Sequence, residues 1–277
     1  MTLPTELDDI LLARRKSILT VTLNRPEMKN ALNGAMVEGL TRLADALLQT
    51  HEVRAVVLRG AGGAFCAGGD IKEFAKQMMA PDPAPGTDDP VRRGNRAFGT
   101  LLQKLDALPQ VLVSVVDGPA FGGAMGLLSV SDMVIASRDA KFSLSETTLG
   151  IPPAQIGPFV VRKIGLFNAR RLALTGARFD ASIALGVGLV DEIADDGNIN
   201  ASLTEVLNAI GRCESGAVAA TKRLLNRAAA SIGSDQLDQA ATDFVTCLRG
   251  AGRQGAAAFA GKQMPPWVET YESEVDA

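Results

Sequence analysis

Two stretches constrain the fold of this chain more than any other. "VRAVVLRGAGGAFCAGGDIKEF" (53–74) and "VLVSVVDGPAFGGAMGLL" (111–128) each pass from an apolar run through a glycine-rich turn towards a helix. A short continuous apolar run bounded by glycine is the pattern of a buried strand. Further strand-like segments are "SILTVTL" (17–23), "MVIAS" (133–137) and "KFSLSE" (141–146). Between them, apolar residues recur at helical spacing from Asn33 through Val37, Leu40, Leu43, Ala44, Leu47 and Leu48, and again at Phe98, Leu101, Leu102 and Leu105. Strands alternating with helices predict an α/β chain. From about residue 200 the strands stop. "ASLTEVLNAIGRC", "GAVAATKRLLNRAAA" and "DQLDQAATDFVTCLRG" then read as three helices. The expected division is a core over 1–199 and a helical region over 200–277. "APDPAPGTDDP" (80–90) reads as a mobile surface loop rather than a linker.

Composition narrows the function classes. Of the 277 residues 47% are hydrophobic but only 4% aromatic, so the core must be aliphatic. A net charge of -3 with interspersed signs gives no footprint for nucleic acid or an anionic membrane. Cys66, Cys213 and Cys247 are odd in number and lack metal spacing, which points to reduced thiols and a cytoplasmic location. No leader pattern or bilayer-length apolar run is present, and a soluble protein is expected. The single histidine, His51, lies in a helix-to-strand connection, which disfavours His-based triads and most zinc sites, so no metal is expected. Cys66 has no histidine nearby in sequence and is expected to pack inward.

The glycine turns carry the chemistry. Glycine permits positive φ and close backbone approach, and a helix start leaves N–H groups without partners. Two such turns can aim one N–H each at a single oxygen and stabilise negative charge developing there. Taken singly, each reads as an ordinary tight turn. Neither reads G-x-G-x-x-G after the first strand, and no P-loop lysine follows.

Read with their flanks, "LNRPEMKNALN", "GAFCAGGDIKEF", "DGPAFGGAMGL", "KFSLSETTLGIPP" and "RRLALTGARFDASIALGVGLVDEI", with the tail "FAGKQMPPW", resemble the crotonase (enoyl-CoA hydratase/isomerase) superfamily over residues 17–268. The resemblance implies a spiral of ββα units with a C-terminal helical region that builds a homotrimer, commonly paired into a hexamer. It implies an acyl-CoA substrate and no separate cofactor, coenzyme A being part of the substrate. The oxyanion-binding N–H groups would be those of Ala67 and Gly123, and Glu146 would transfer protons. The stretch Ala67, Gly68, Gly69, Asp70, Ile71 and Lys72, with Lys29, would line the coenzyme groove. Phe259 and Lys262 would reach a neighbouring subunit's coenzyme. Many family hydratases carry a first glutamate where Gly126 stands here, so a polar group or structured water is expected in its place. The segment 120–181, "AFGGAMGL…KFSLSETTLGIPPAQIGPFVVRKIGLFNARRLALTGARFDA", is similar to hydratases of branched glutaconyl-CoA thioesters, the 3-methylglutaconyl-CoA and isohexenylglutaconyl-CoA hydratases. Their distal carboxylate calls for a cation, with Arg92, Arg93 and Arg96 as candidates, and "PPAQIGPF" would line the acyl end. A single glutamate also fits a Δ3,Δ2-enoyl-CoA isomerase, and more remotely the chain could be a non-catalytic acyl-CoA-binding scaffold.

Overall fold

The computed structural model describes residues 3–78, 84, 86–195, 198–229 and 234–272. Of the loop expected over 80–90, positions 80–83 and 85 lie outside the described residues. The main sheet has six strands: β1 (Ile10–Arg15), β2 (Ile18–Leu23), β3 (Ala55–Gly60), β4 (Val111–Val116), β6 (Met133–Ala136) and β9 (Glu192–Ile193), in the order β1-β2-β3-β4-β6-β9. Only the β1–β2 pair is antiparallel. Parallel strands covered on both faces explain the continuous apolar runs of β3 and β4. The alternation of side chains then decides which layer each residue joins.

On one face Val56, Leu58 and Leu112 join the large core with α1 (Gly34–Leu47) and α3 (Pro90–Asp106), through Met36, Leu40, Leu43, Leu101 and Leu102. Asn33 caps α1 by accepting the Met36 N–H at 2.8 Å. On the other face Ala55, Val57, Val113, Val115 and Ile135 pack on Leu203 and Leu207 of α7 (Ile199–Gly211). The first helix after residue 199 is therefore a layer of the sheet's own core. Truncating either leucine to alanine would remove about 2–5 kcal/mol.

A second, three-stranded sheet stands over the C-terminal ends of these strands: β5 (Pro119–Phe121), β7 (Lys141–Ser143) and β8 (Arg178–Asp180), in the order β5-β7-β8. The stacked rings of Phe142 and Phe179, 5.6 Å apart, fill its inner face. The remaining helices are α2 (Ile71–Met78), α4 (Gly123–Ser129), α5 (Gly157–Thr175), α6 (Ala181–Gly186), α8 (Ser215–Ala228), α9 (Ser234–Arg249) and α10 (Ala251–Ala260). The C-terminal region thus has four described helices rather than three. The tail returns to the core, where the Tyr271 N–H bonds Asn208 at 2.6 Å and the Tyr271 hydroxyl lies 2.8 Å from Ser17. Among the described residues, no helix is long and apolar enough to cross a membrane.

Candidate active site

The "NRPEMKNAL" turn shapes the first half of the site. Lys29 and Asn30 adopt left-handed backbone at φ 49° and 55°. The fully buried Asn30 side chain holds that turn: its amide donates to Ala61 O and Ala64 O, and its oxygen accepts the Arg25 N–H. The turn then offers its own edge to the chain after β3. The Leu32 N–H donates to Gly68 O at 2.7 Å, and the Asp70 N–H donates to Leu32 O at 2.9 Å. On the opposite edge the Cys66 N–H donates to Pro119 O, and the Phe121 N–H donates to Cys66 O. Residues 66–70 are thereby gripped from both sides.

That grip corrects the expected oxyanion donor. The Ala67 N–H donates to Lys29 O at 2.9 Å and is already satisfied. In a parallel bridge between Leu32 and Gly69, residues 68 and 70 make the bonds and the Gly69 N–H points the other way. It has no acceptor among the described residues. The free donor is therefore Gly69, two positions beyond Ala67. Sequence reading had no signal for this, because it depends on which carbonyl the distant turn presents.

The second turn follows β5 directly. The Gly122 N–H is used, donating to Ser143 O at 2.9 Å. The Gly123 N–H, at the first residue of α4, has no acceptor among the described residues. The two turns touch. A Cβ on Gly68, whose φ is +97°, would lie 2.9 Å from Phe121 O and 3.5 Å from Gly122 Cα. A Cβ on Gly122 would lie 3.6 Å from Gly68 Cα and 3.4 Å from a Glu146 carboxylate oxygen. Both turns and the carboxylate therefore converge on one spot. Gly68→Ala should wedge the turns apart: on the oxyanion reading the resemblance implies, turnover is expected to fall about 100-fold with coenzyme A affinity retained, as a small misplacement of such a donor costs rate more than binding. Steady-state kinetics beside calorimetric titration of coenzyme A would check this.

Glu146 opens the short 3-10 turn Glu146–Leu149 after β7. Its Oε2 is buried and finds no hydrogen-bond partner among the described residues. Burial pushes its carboxyl above the usual carboxylate range. The wall nearby is hydrocarbon. A Cβ on Gly126 would meet Ile156 Cγ2 at 2.6 Å and Leu102 Cδ1 at 3.0 Å. At Gly126 itself, the volume a side chain would take is occupied by Ile156 and Leu102. Phe98 continues the wall, 3.5 Å from where a Gly123 Cβ would stand.

The enoyl-CoA hydratase/isomerase family pattern matches residues 13–270. The chain belongs to the enoyl-CoA hydratase/isomerase family. Among solved structures it is similar to Pseudomonas aeruginosa AtuE, 47% identical, with a TM-score of 0.89 over 95% of this chain and 100% of that one. Such likeness establishes the crotonase fold here. Among characterised relatives, the Alternaria alternata enoyl-CoA hydratase ACTT6 is 32% identical over 84% of this chain and 74% of its own. The Escherichia coli 1,2-epoxyphenylacetyl-CoA isomerase is 29% identical over 91% and 95%.

The residues expected to hold the thioester of this hydratase/isomerase-family chain are brought together only in part. Lys29, Ile71 and Lys72 are exposed around the first turn, Ile71 at 69%. Asp70 is buried instead, paired with Arg25 at 2.9 Å. Phe259 is 88% exposed near the end of α10, with Lys262 just beyond it at φ 52°. Arg93 pairs with Asp88, and Arg96 donates to Thr100 and Gln103, all on the exposed face around α3. Cys66 is fully buried and its thiol is pushed up to about 12, which removes it as a nucleophile. Exposed His51 stands in the connection from α1 to β3.

Proposed function

We propose that this chain adds water across the conjugated double bond of an enoyl-CoA that is branched and carries a second carboxylate. The convergence of two free N–H groups, from Gly69 and Gly123, with the Glu146 carboxylate carries the reading. Glu146 takes a proton from water as the oxygen bonds the β-carbon. The electron pair of the double bond passes to the thioester as an enolate, whose oxygen accepts both N–H groups. Glu146 then returns the proton to the α-carbon. Each N–H is assigned about 3 kcal/mol of barrier lowering. Lys29 and Lys72 would meet the coenzyme phosphates, and Phe259 and Lys262 a neighbouring copy's coenzyme in a homotrimer or a dimer of trimers. The apolar side chains that α9 leaves in solvent, Leu237, Phe244 and Leu248, support association. A carboxylated acyl group would meet the arginines of α3, whose Phe98 lies beside Gly123. We place the protein in the cytoplasm with no cofactor beyond the substrate's coenzyme A.

The hydrocarbon at Gly126 favours one second reading. With glycine at 126 and hydrocarbon around it, Glu146 alone could carry a proton between the α- and γ-carbons, which is a Δ3,Δ2-isomerisation. The test mixes enzyme with 3-methylglutaconyl-CoA, isohexenylglutaconyl-CoA, crotonyl-CoA and a 3-enoyl-CoA, following product mass and enoyl absorbance. Gain of one water on the glutaconyl thioesters, with crotonyl-CoA poorly used, is the expected result. Double-bond migration without mass change would give the isomerase instead.

A further inference from the structure

We infer that Arg25 is a positioning residue for the oxyanion site, acting through Asp70 to fix where the Gly69 N–H points. This inference rests on the oxyanion reading above. The Arg25 side chain is 15% exposed, and its guanidinium bridges the two segments that meet beside Gly69. One nitrogen donates to Ala31 O at 2.7 Å, on the residue before Leu32. Another donates to Asp70 Oδ2 at 2.9 Å, on the residue after Gly69. Nε lies 3.3 Å from Asp9 Oδ2, which also accepts from the Asn33 amide at 2.9 Å.

Asp70 is held at three points. Its N–H bonds Leu32 O, Oδ2 takes Arg25, and Oδ1 accepts the Lys72 N–H at 2.9 Å, which fixes the start of α2. Gly69 itself has no side chain to orient it, and Gly68 before it occupies φ +97°. A glycine pair in that state has broad conformational freedom, so the direction of the Gly69 N–H must be imposed by its neighbours. On the N-terminal side Gly68 O is pinned by Leu32, and on the C-terminal side Asp70 is pinned by Arg25. A planar fork is needed for this, because one group must reach a carbonyl and a carboxylate in fixed directions. A lysine ammonium keeps the charge but not the fork.

The test uses a readout that depends neither on the acyl substrate nor on the reaction. A saturated acyl-CoA, labelled with 13C at the thioester carbonyl, is bound to the full-length protein and its carbonyl stretch is read by infrared difference spectroscopy. Wild type should show a low-frequency shift on binding, from the two N–H groups. Arg25→Lys and Asp70→Asn should each lose at least half of it, with acyl-CoA affinity within about threefold of wild type. Their kcat should fall about 10–100-fold while KM barely moves. Arg25→Lys with the full wild-type shift overturns the inference. Should Arg25→Lys not fold, Asp70→Asn, which keeps the side chain's shape and its bond to the Lys72 N–H, decides it on the same criterion. A wild type with no carbonyl shift would sink the oxyanion reading itself, which separates the two failures.

Discussion

Glu146→Gln is expected to lower kcat by about 10²–10⁴-fold with little change in KM, the span assigned to loss of a positioned acid/base group. The amide has nearly the same shape, so the hydrocarbon wall and both oxyanion turns stay in place. What disappears is the ability to accept a proton. The same variant should unfold at an equal or higher temperature at pH 8. The reason is that burial disfavours the charged form in the folded state. The sign follows from linkage. Burial raises the folded-state pKa of Glu146 above its unfolded value, so between the two the folded protein binds more protons. The native state is therefore favoured at low pH and loses that contribution as pH rises through the raised pKa. The glutamine variant should lack this slope. In wild type, the same carboxyl is expected to set the acid limb of kcat above the ordinary glutamate range. Calorimetric melting at pH 5 and pH 8, beside pH–rate profiles, checks both claims. A Glu146→Gln enzyme with near wild-type turnover would refute the mechanism for hydration and isomerisation alike.

Gly126→Ala is expected to lower stability by about 1–3 kcal/mol, the range for overpacking a filled core. An alanine within an ordinary helix gains about 0.5–1 kcal/mol over glycine, so the sign alone is diagnostic. Here the new methyl would lie 2.6 Å from Ile156 Cγ2 and 3.0 Å from Leu102 Cδ1, both on buried side chains. Ile156→Ala removes the offending methyl. The double variant Gly126→Ala with Ile156→Ala should therefore be more stable than the sum of the single effects predicts, as expected for side chains in contact. Gly126→Glu should be worse, since it would force a carboxyl into hydrocarbon with no partner, and soluble yield should collapse. Melting temperatures across the set provide the check. Gly126→Ala melting at or above wild type would mean that the segment carrying Ile156 yields freely.

Much of the scaffold was legible in sequence because each feature is local. The runs of β2, β3 and β4 are mostly buried and so largely apolar, interrupted only at Thr20, Thr22, Arg59 and Ser114, and the stripe of α1 follows from helical period with a capping Asn33 before it. What escaped were elements whose pattern is weak or ambiguous. β1, reading "ILLARR", alternates only partly because it is a sheet edge. β8 and β9 have three and two residues. α10, reading "AGRQGAAAFA", carries three small residues in succession but little apolar stripe.

At the site the division is sharper. The sequence by itself determined that two glycine-rich turns each follow an apolar strand, that Glu146 is a carboxylate placed after a strand, and that the single histidine lies in a helix-to-strand connection. Tertiary structure alone decided which backbone donors remain free. Ala67 loses its N–H to Lys29 O, a group nearly forty positions earlier, and Gly69 keeps its own because strand geometry turns alternate donors to opposite sides. It also decided that Ile156 fills the space beside Gly126, and that Arg25 reaches Asp70 across the site. Hydrogen bonding and packing are pairwise and non-local, so a one-dimensional pattern can show that a donor is available in principle but not that it has been spent.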